Sequence, residues 1–199
     1  MIAGLIIAGG RGLRMAGADK LTERLGPLPV IGHVVRALAP QVDRLAINAN
    51  AAPERFEGLG LAIIADEKRF TGNPLAGLQA GLVWAAAQGA QGLLTVSGDT
   101  PFLPPDLAAR LVAAAGPAAV AASAGRRHPL IGLWPLSLRP ALEQFLAGGP
   151  DCRIGDWARA VGAVAVDWDN TPFDPFFNIN TRADLEGARR LMEQQEWPR

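Results

Sequence analysis

The stretch Ile2-Ala3-Gly4-Leu5-Ile6-Ile7-Ala8, followed by Gly9-Gly10-Arg11-Gly12-Leu13-Arg14-Met15, decides how the rest of the chain reads. An apolar run this short, without a basic region before it or a small-residue cleavage pattern after it, suits a strand buried on both faces. The glycines after it suit a loop leaving the strand's carboxyl end. Similar runs stand at Arg44 to Asn48, Leu61 to Ala65, Gly92 to Ser97 and Ala118 to Ala122. Between them, helical periodicity predicts helices over Val30 to Ala39, Pro74 to Ala87 and Pro104 to Ala115. Strand and helix alternating in this way imply right-handed crossovers, hence an α/β fold with a mostly parallel sheet between two helical layers.

After Ala124 the rhythm changes. Pro129 to Trp134 and Ala163 to Trp168 read as strands, Ser137 to Leu146 and Ile154 to Val161 as helices, with chain direction open. Thr181 to Gln195 reads as a helix that starts with a hydroxyl cap and Asp184 three residues on, a capping box with Asp in place of Glu or Gln. No repeat, linker or charge block interrupts the 199 residues, so one domain spanning 1–199 is expected.

Composition narrows the function classes. Hydrophobic residues make up 49% and charged residues 19%, with zero formal net charge, so no broad field is available for nucleic acid or anionic lipid. The lone Cys152 cannot form an internal disulfide or a multi-thiolate metal site, which fits a reducing, cytoplasmic setting. No stretch approaches the roughly 18 apolar residues of a membrane span. Of 19 basic residues only Lys20 and Lys68 are lysine, so the other 17 are arginine. In such a chain a lysine marks either a need for a compact ammonium or, for two residues, chance alone.

Three constellations could carry chemistry. The loop Gly9 to Lys20 follows the first strand, where a doubly wound sheet presents its ligand edge. Its glycines let backbone N–H groups approach phosphate oxygens, and Arg11, Arg14 and Lys20 supply positive charge. It contains no Gly-Lys-Ser/Thr, so it is not a P-loop, and Met15 replaces the third glycine of the dinucleotide fingerprint. A solvated glycine turn is the plain alternative. Ser97-Gly98-Asp99-Thr100-Pro101-Phe102 ends an apolar strand with a carboxylate placed to hold Mg2+, or else to cap its own turn. In Phe176-Phe177-Asn178-Ile179-Asn180-Thr181 the two asparagines would face one side of an extended segment, where they could meet a ligand or simply precede a cap. The loop from Asp66 through Gly72-Asn73-Pro74-Leu75-Ala76-Gly77 would reach the same edge.

Other chemistries lack their residues. His33 and His128 cannot build a zinc triad with one cysteine, and no G-x-S-x-G elbow occurs. His33 reads as a surface or satisfied core histidine. His128, between arginines and Pro129, could contact an anionic substrate.

The ordered set Ile7-Ala8-Gly9-Gly10-Arg11-Gly12-Leu13-Arg14-Met15-Ala16-Gly17-Ala18-Asp19-Lys20, Asn48-Ala49-Asn50, Asp66, Gly72 with Pro74-Leu75-Ala76-Gly77, Asp99-Thr100-Pro101-Phe102 and Asn178-Ile179-Asn180-Thr181 resembles the molybdenum cofactor guanylyltransferases over nearly the whole chain. The resemblance implies a Rossmann-like, three-layer fold of the nucleotide-diphospho-sugar transferase type. It also implies transfer of GMP from GTP to the terminal phosphate of molybdenum-molybdopterin, giving the guanine dinucleotide cofactor and pyrophosphate. By resemblance Ile7, Ala8, Gly9, Gly10, Lys20, Asn48, Asp66 and Asp99 bind GTP, and Asp99 also binds Mg2+. Lys20, Asp99 and Arg14 are the implied catalytic set, with Gly77, Asn178 and Asn180 on the pterin side or supporting it. Molybdoenzyme apo-proteins or other cofactor-assembly proteins would receive the product. Two positions depart from the pattern: Ala16 stands where glycine usually follows Arg-Met, and Leu28 where a lysine is common. A CTP-dependent enzyme acting on the same pterin, a sugar-phosphate nucleotidyltransferase, and a non-catalytic cofactor carrier are the rival readings.

Overall fold

The computed structural model describes residues 1–9, 14–15, 18–70, 74–149 and 152–194. Seven strands, β1 (Ile2–Ile7), β2 (Arg44–Asn48), β3 (Ala62–Ile64), β4 (Gly92–Ser97), β5 (Ala119–Ser123), β6 (Arg126–Pro135) and β7 (Val164–Trp168), form one sheet. Their order is β7-β5-β6-β4-β1-β2-β3. All pair in parallel except at β6, which runs against both of its neighbours, so the mostly parallel α/β sheet expected from the alternation is what forms.

The two-residue period of the strands splits the apolar side chains between two cores. Leu5, Ile7, Ala46, Leu93 and Val120 face α2 (Pro74–Ala87), α4 (Arg139–Ala147) and α5 (Ile154–Ala160). Ile6, Ile47, Leu94, Val96 and Ala121 face α1 (Val30–Leu38) and α3 (Leu107–Ala113). A third, smaller cluster joins α6 (Arg182–Gln194), through Leu185 and Ala188, to Leu25, Val30, Phe102 and Ile179.

Two expectations need correction. The helix expected from Pro104 starts at Leu107, because the residue before Pro105 is held out of the helical region and the turn must first be made. The strand expected at Pro129 to Trp134 extends over Arg126–Pro135, with a register shift between His128 and Gly132. Ala124 and Gly125, at φ 49° and 72°, turn β5 directly back into β6. Such two-residue turns require positive φ at both positions, and alanine there hides the hairpin from a reading that looks for Asn-Gly or Gly-Gly. The capping box forms as expected: Asp184 N donates to Thr181 Oγ1 at 3.1 Å, and Thr181 N donates to Asp184 Oδ2 at 2.8 Å.

Candidate active site

Four adjacent parallel strands, β4, β1, β2 and β3, end on the same edge of the sheet, and the polar residues of interest follow those ends. After β4 the chain turns sharply, with Thr100 Oγ1 donating to the Ser97 carbonyl at 2.8 Å. The turn leaves the Asp99 carboxylate unused for capping. Ser97 Oγ donates to Asp99 Oδ1 at 2.6 Å, and Lys20 Nζ donates to Asp99 Oδ2 at 2.5 Å. Lys20 Nζ also donates to Asn180 Oδ1 at 2.9 Å. Ile179 N donates to the Asp99 carbonyl at 2.9 Å, which brings the C-terminal asparagine segment onto the β4 turn. Lys20 is 5% exposed and Asp99 8%. A lone charge in such a place would lose several kcal/mol of hydration, roughly, so each is held there by the other and by the neutral donors and acceptors around the pair.

A second cluster stands beside it, after β2 and β3. Asn48 Nδ2 donates to Asp66 Oδ1 at 2.8 Å and to the Ile64 carbonyl at 3.1 Å. Asn50 Nδ2 donates to Asp66 Oδ2 at 2.6 Å, and its own Oδ1 accepts from Asp66 N at 2.7 Å. Two amides therefore fix the orientation of one carboxylate, while each carboxylate oxygen keeps a lone pair for a further donor. Gly77, in the first turns of α2, lies against the side chain of Asn48.

Sequence reasoning passed over a third element, Arg55, in the 3-10 helix Pro53–Leu59. Arg55 Nη1 donates to Asp19 Oδ2 at 2.5 Å and Nη2 donates to the Ala8 carbonyl at 3.3 Å. Its guanidinium carbon lies 4.4 Å from the ring centroid of the fully buried Phe56. The only cue in the sequence is one arginine among 17, in a segment without periodicity.

Lys20, Asp99 and Asn180 thus converge, as do Asn48 and Asp66. Ile7 closes β1, its carbonyl accepting from Gly98 N at 3.0 Å, and Ala8 N donates to the Asn48 carbonyl at 2.9 Å, so both sit between the two clusters, with Gly9 next in the chain. Gly10, Arg11 and Gly72 lie outside the described residues, and of Arg14 only the backbone, in a short strand pair with Asp19, is described. Asn178 Oδ1 is buried and has no hydrogen-bond partner among the described residues. The second lysine, Lys68, is exposed, in the short 3-10 turn that follows Asp66.

The histidines stand apart from the lysine. His33 is buried, its Nε2 donating to the Leu25 carbonyl at 2.6 Å, and burial holds its pKa below the ordinary value of 6.5. His128 Nε2 meets Ser123 Oγ at 2.8 Å, and that hydroxyl donates to Asp174 Oδ1 at 2.8 Å. Burial lowers the His128 pKa too, against the opposing pull of Asp174.

As a metal site the cluster is sparse. Among the described residues no three His, Cys, Asp or Glu side chains converge on one position. A single buried carboxylate nevertheless suits Mg2+ beside a nucleotide, since that ion takes one or two carboxylates and completes its shell with phosphate oxygens and water. No helix among the described residues is long and apolar enough to cross a membrane.

A mostly parallel sheet with these residues at its strand ends is the nucleotidyltransferase fold, shared with solved structures across its length. One is the molybdopterin-guanine dinucleotide biosynthesis protein A of Archaeoglobus fulgidus, with TM-score 0.74 and 20% identity over 98% of this chain and 100% of that one. Another is the 4-diphosphocytidyl-2C-methyl-D-erythritol synthase of Anaerococcus prevotii, with TM-score 0.76 and 15% identity over 96% of each chain. Residues 4–160 match the model of the MobA-like NTP transferase domain, and the chain belongs to that family. The molybdenum cofactor guanylyltransferase of Mesorhizobium japonicum is 44% identical over 200 residues, covering 96% of both chains.

Proposed function

We propose that this chain is a guanylyltransferase of molybdenum cofactor biosynthesis that moves GMP from GTP onto the terminal phosphate of molybdenum-molybdopterin. An oxygen of that phosphate attacks Pα of GTP. A new P–O–P bond forms, the bond from Pα to the bridging oxygen of Pβ breaks, and pyrophosphate leaves with the electron pair. The acceptor phosphate is itself the nucleophile, so the protein's task is positioning and charge neutralisation, with no covalent intermediate required.

The observation that carries this reading is the buried cluster of Lys20, Asp99 and Asn180 at the strand ends. Lys20 Nζ, held at that edge by its two side-chain partners, is the cation for the triphosphate. Asp99 is the residue that would hold Mg2+, which when bound supplies positive charge to the phosphate oxygens. Asp66, oriented by Asn48 and Asn50, offers acceptor lone pairs to N–H or O–H donors of the nucleoside. Asn178 Oδ1, a buried acceptor with no partner among the described residues, suits an N–H donor such as those of a pterin. The product would pass to apo-enzymes or assembly proteins in the cytoplasm, a setting that the lone Cys152 suits.

The test is pyrophosphate release with purified protein, GTP, Mg2+ and molybdenum-molybdopterin. Release is expected with all components and lost when the pterin is left out. Tight pterin binding without release would instead identify a carrier. In calorimetric titrations with Mg2+, GTP is expected to bind more tightly than CTP, and equal or reversed affinities would refute the guanine assignment.

A further inference from the structure

The glycine-rich segment after β1 starts from Ala8 and Gly9 and ends at Asp19 and Lys20. One guanidinium holds both ends: Arg55 reaches the Ala8 carbonyl with one terminal nitrogen and the Asp19 carboxylate with the other. We infer that Arg55 is a positioning residue for the nucleoside triphosphate. It sets the separation of the end of β1 from Asp19, and thereby the place of Lys20, while cancelling the carboxylate charge beside the phosphates. The inference rests on the reading of this site as a GTP site.

Three observations support it. First, the contact uses what distinguishes arginine from lysine, a rigid planar fork that can serve two acceptors at once. The side chains of Arg55 and Asp19 are 17% and 22% exposed, so the pair is only partly screened by solvent. Second, Asp19 is the immediate neighbour of Lys20 and is itself built into the turn that places it: Asp19 Oδ1 accepts from Leu21 N at 3.1 Å and the Asp19 carbonyl accepts from Thr22 N at 3.1 Å. A displacement of Asp19 is therefore transmitted to the lysine backbone. An unneutralised carboxylate at this position would also repel the triphosphate that Lys20 attracts. Third, Arg55 Nε is buried without a hydrogen-bond partner among the described residues. A buried donor left without a partner calls for an explanation, and here the two terminal nitrogens are placed on Asp19 and Ala8 at the expense of the third. The stacking on Phe56 fixes the plane of the fork.

The experiment compares Arg55→Met, Arg55→Lys, Asp19→Asn and the Arg55→Met/Asp19→Asn double variant with the unaltered protein. The measurements are GTP titration with Mg2+, thermal unfolding, and separate KM values for GTP and for molybdenum-molybdopterin. Arg55→Met is expected to weaken GTP binding by about tenfold or more, as loss of a charge-assisted contact network does. Arg55→Lys, keeping charge but not the fork, should fall between Arg55→Met and the unaltered protein. The KM for the pterin should stay unchanged in both. The double variant should bind GTP no worse than Arg55→Met, because the carboxylate that Arg55 neutralises is gone. Folded Arg55 variants that bind GTP within about twofold of the unaltered protein would overturn the inference, as would an equal rise in both KM values. Should Arg55→Met not fold, Arg55→Lys decides on the same criteria. If the unaltered protein binds another nucleoside triphosphate in place of GTP, the guanine reading fails and the Arg55 comparison is made with that nucleotide. If it binds none, both fail.

Discussion

The amide oxygen of Asn48 stands where a side chain on residue 77 would have to go: a Cβ added to Gly77 would lie 2.4 Å from Asn48 Oδ1. Glycine at 77 is thus explained by the asparagine it makes room for, and that asparagine in turn orients Asp66.

Gly77→Ala should therefore push Asn48 off Asp66. The overpacking is expected to cost about 1–3 kcal/mol in urea unfolding. GTP affinity should fall by about tenfold as Asp66 loses its orientation. Adding Asn48→Ala to Gly77→Ala removes the clash, so stability should recover while nucleotide binding does not. Recovery of both would mean that Asn48 has no part in binding.

The Lys20–Asp99 pair gives a prediction in which stability and activity separate. Lys20→Met or Asp99→Leu alone leaves one buried charge without its partner, a loss of about 3–5 kcal/mol. The double variant Lys20→Met/Asp99→Leu, with apolar side chains in both places, should unfold close to the unaltered protein. It should nevertheless release no pyrophosphate. Turnover retained in that variant would remove both residues from the chemistry.

Acid should destabilise the fold through its histidines. The pKa values of His33 and His128 lie below 6.5 in the native protein, chiefly because both are buried. Below pH 6.5 and down to those native values, the unfolded chain binds more protons than the folded one. The free energy of unfolding therefore rises with pH across that window and falls as pH drops through it. Urea midpoints at pH 7.5 and 5.5 should show the loss, and His128→Gln should flatten the dependence. An unchanged slope would mean that His128 contributes nothing to it.

At the start of α6, Asp184 Oδ2 accepts from both Asn180 N, at 2.9 Å, and Thr181 N. These bonds hold the Asp184 carboxyl below the usual carboxylate range. Thr181→Ala should cost about 1 kcal/mol of stability, as the loss of a cap does. Because Asn180 is tied to the same cap, the variant should also show a measurably higher KM for GTP. A stability change with no kinetic effect would separate the cap from the site.

Much of this arrangement is readable from the chain itself. The runs that become β1, β2 and β4 are mostly apolar because the sheet is covered on both faces there, and their carboxyl ends point directly to Ala8, Asn48 and Asp99. In sequence, Asp99 suits a turn cap and a ligand role equally, and only its partners, Ser97 and Lys20, show that the carboxylate does not cap its turn. Asn180 joins the backbone hydrogen bonds of the cap and, through its side chain, Lys20 at a separation of 160 residues, which no local pattern encodes. Arg55 was illegible for a similar reason. It sits in a 3-10 segment without amphipathic period, and its partners Asp19 and Ala8 precede it by 36 and 47 residues. The reversal at Ala124-Gly125 escaped because alanine seldom occupies a positive-φ turn.

The segment from Asp174 to Asn180 bears on how this protein can be cut and recombined. It is fastened at one end to Ser123 on β5 and at the other to Lys20, and between them Ile179 is bonded to Asp99. The family match stops at residue 160, before any of these attachments. A fragment or chimera trimmed to that boundary would keep the glycine-rich segment, Asn48, Asp66 and Asp99, yet take Asn180 from the lysine and strip β5 of its outer neighbour. In modular terms, the 39 residues after the family match belong to the site and have to travel with it.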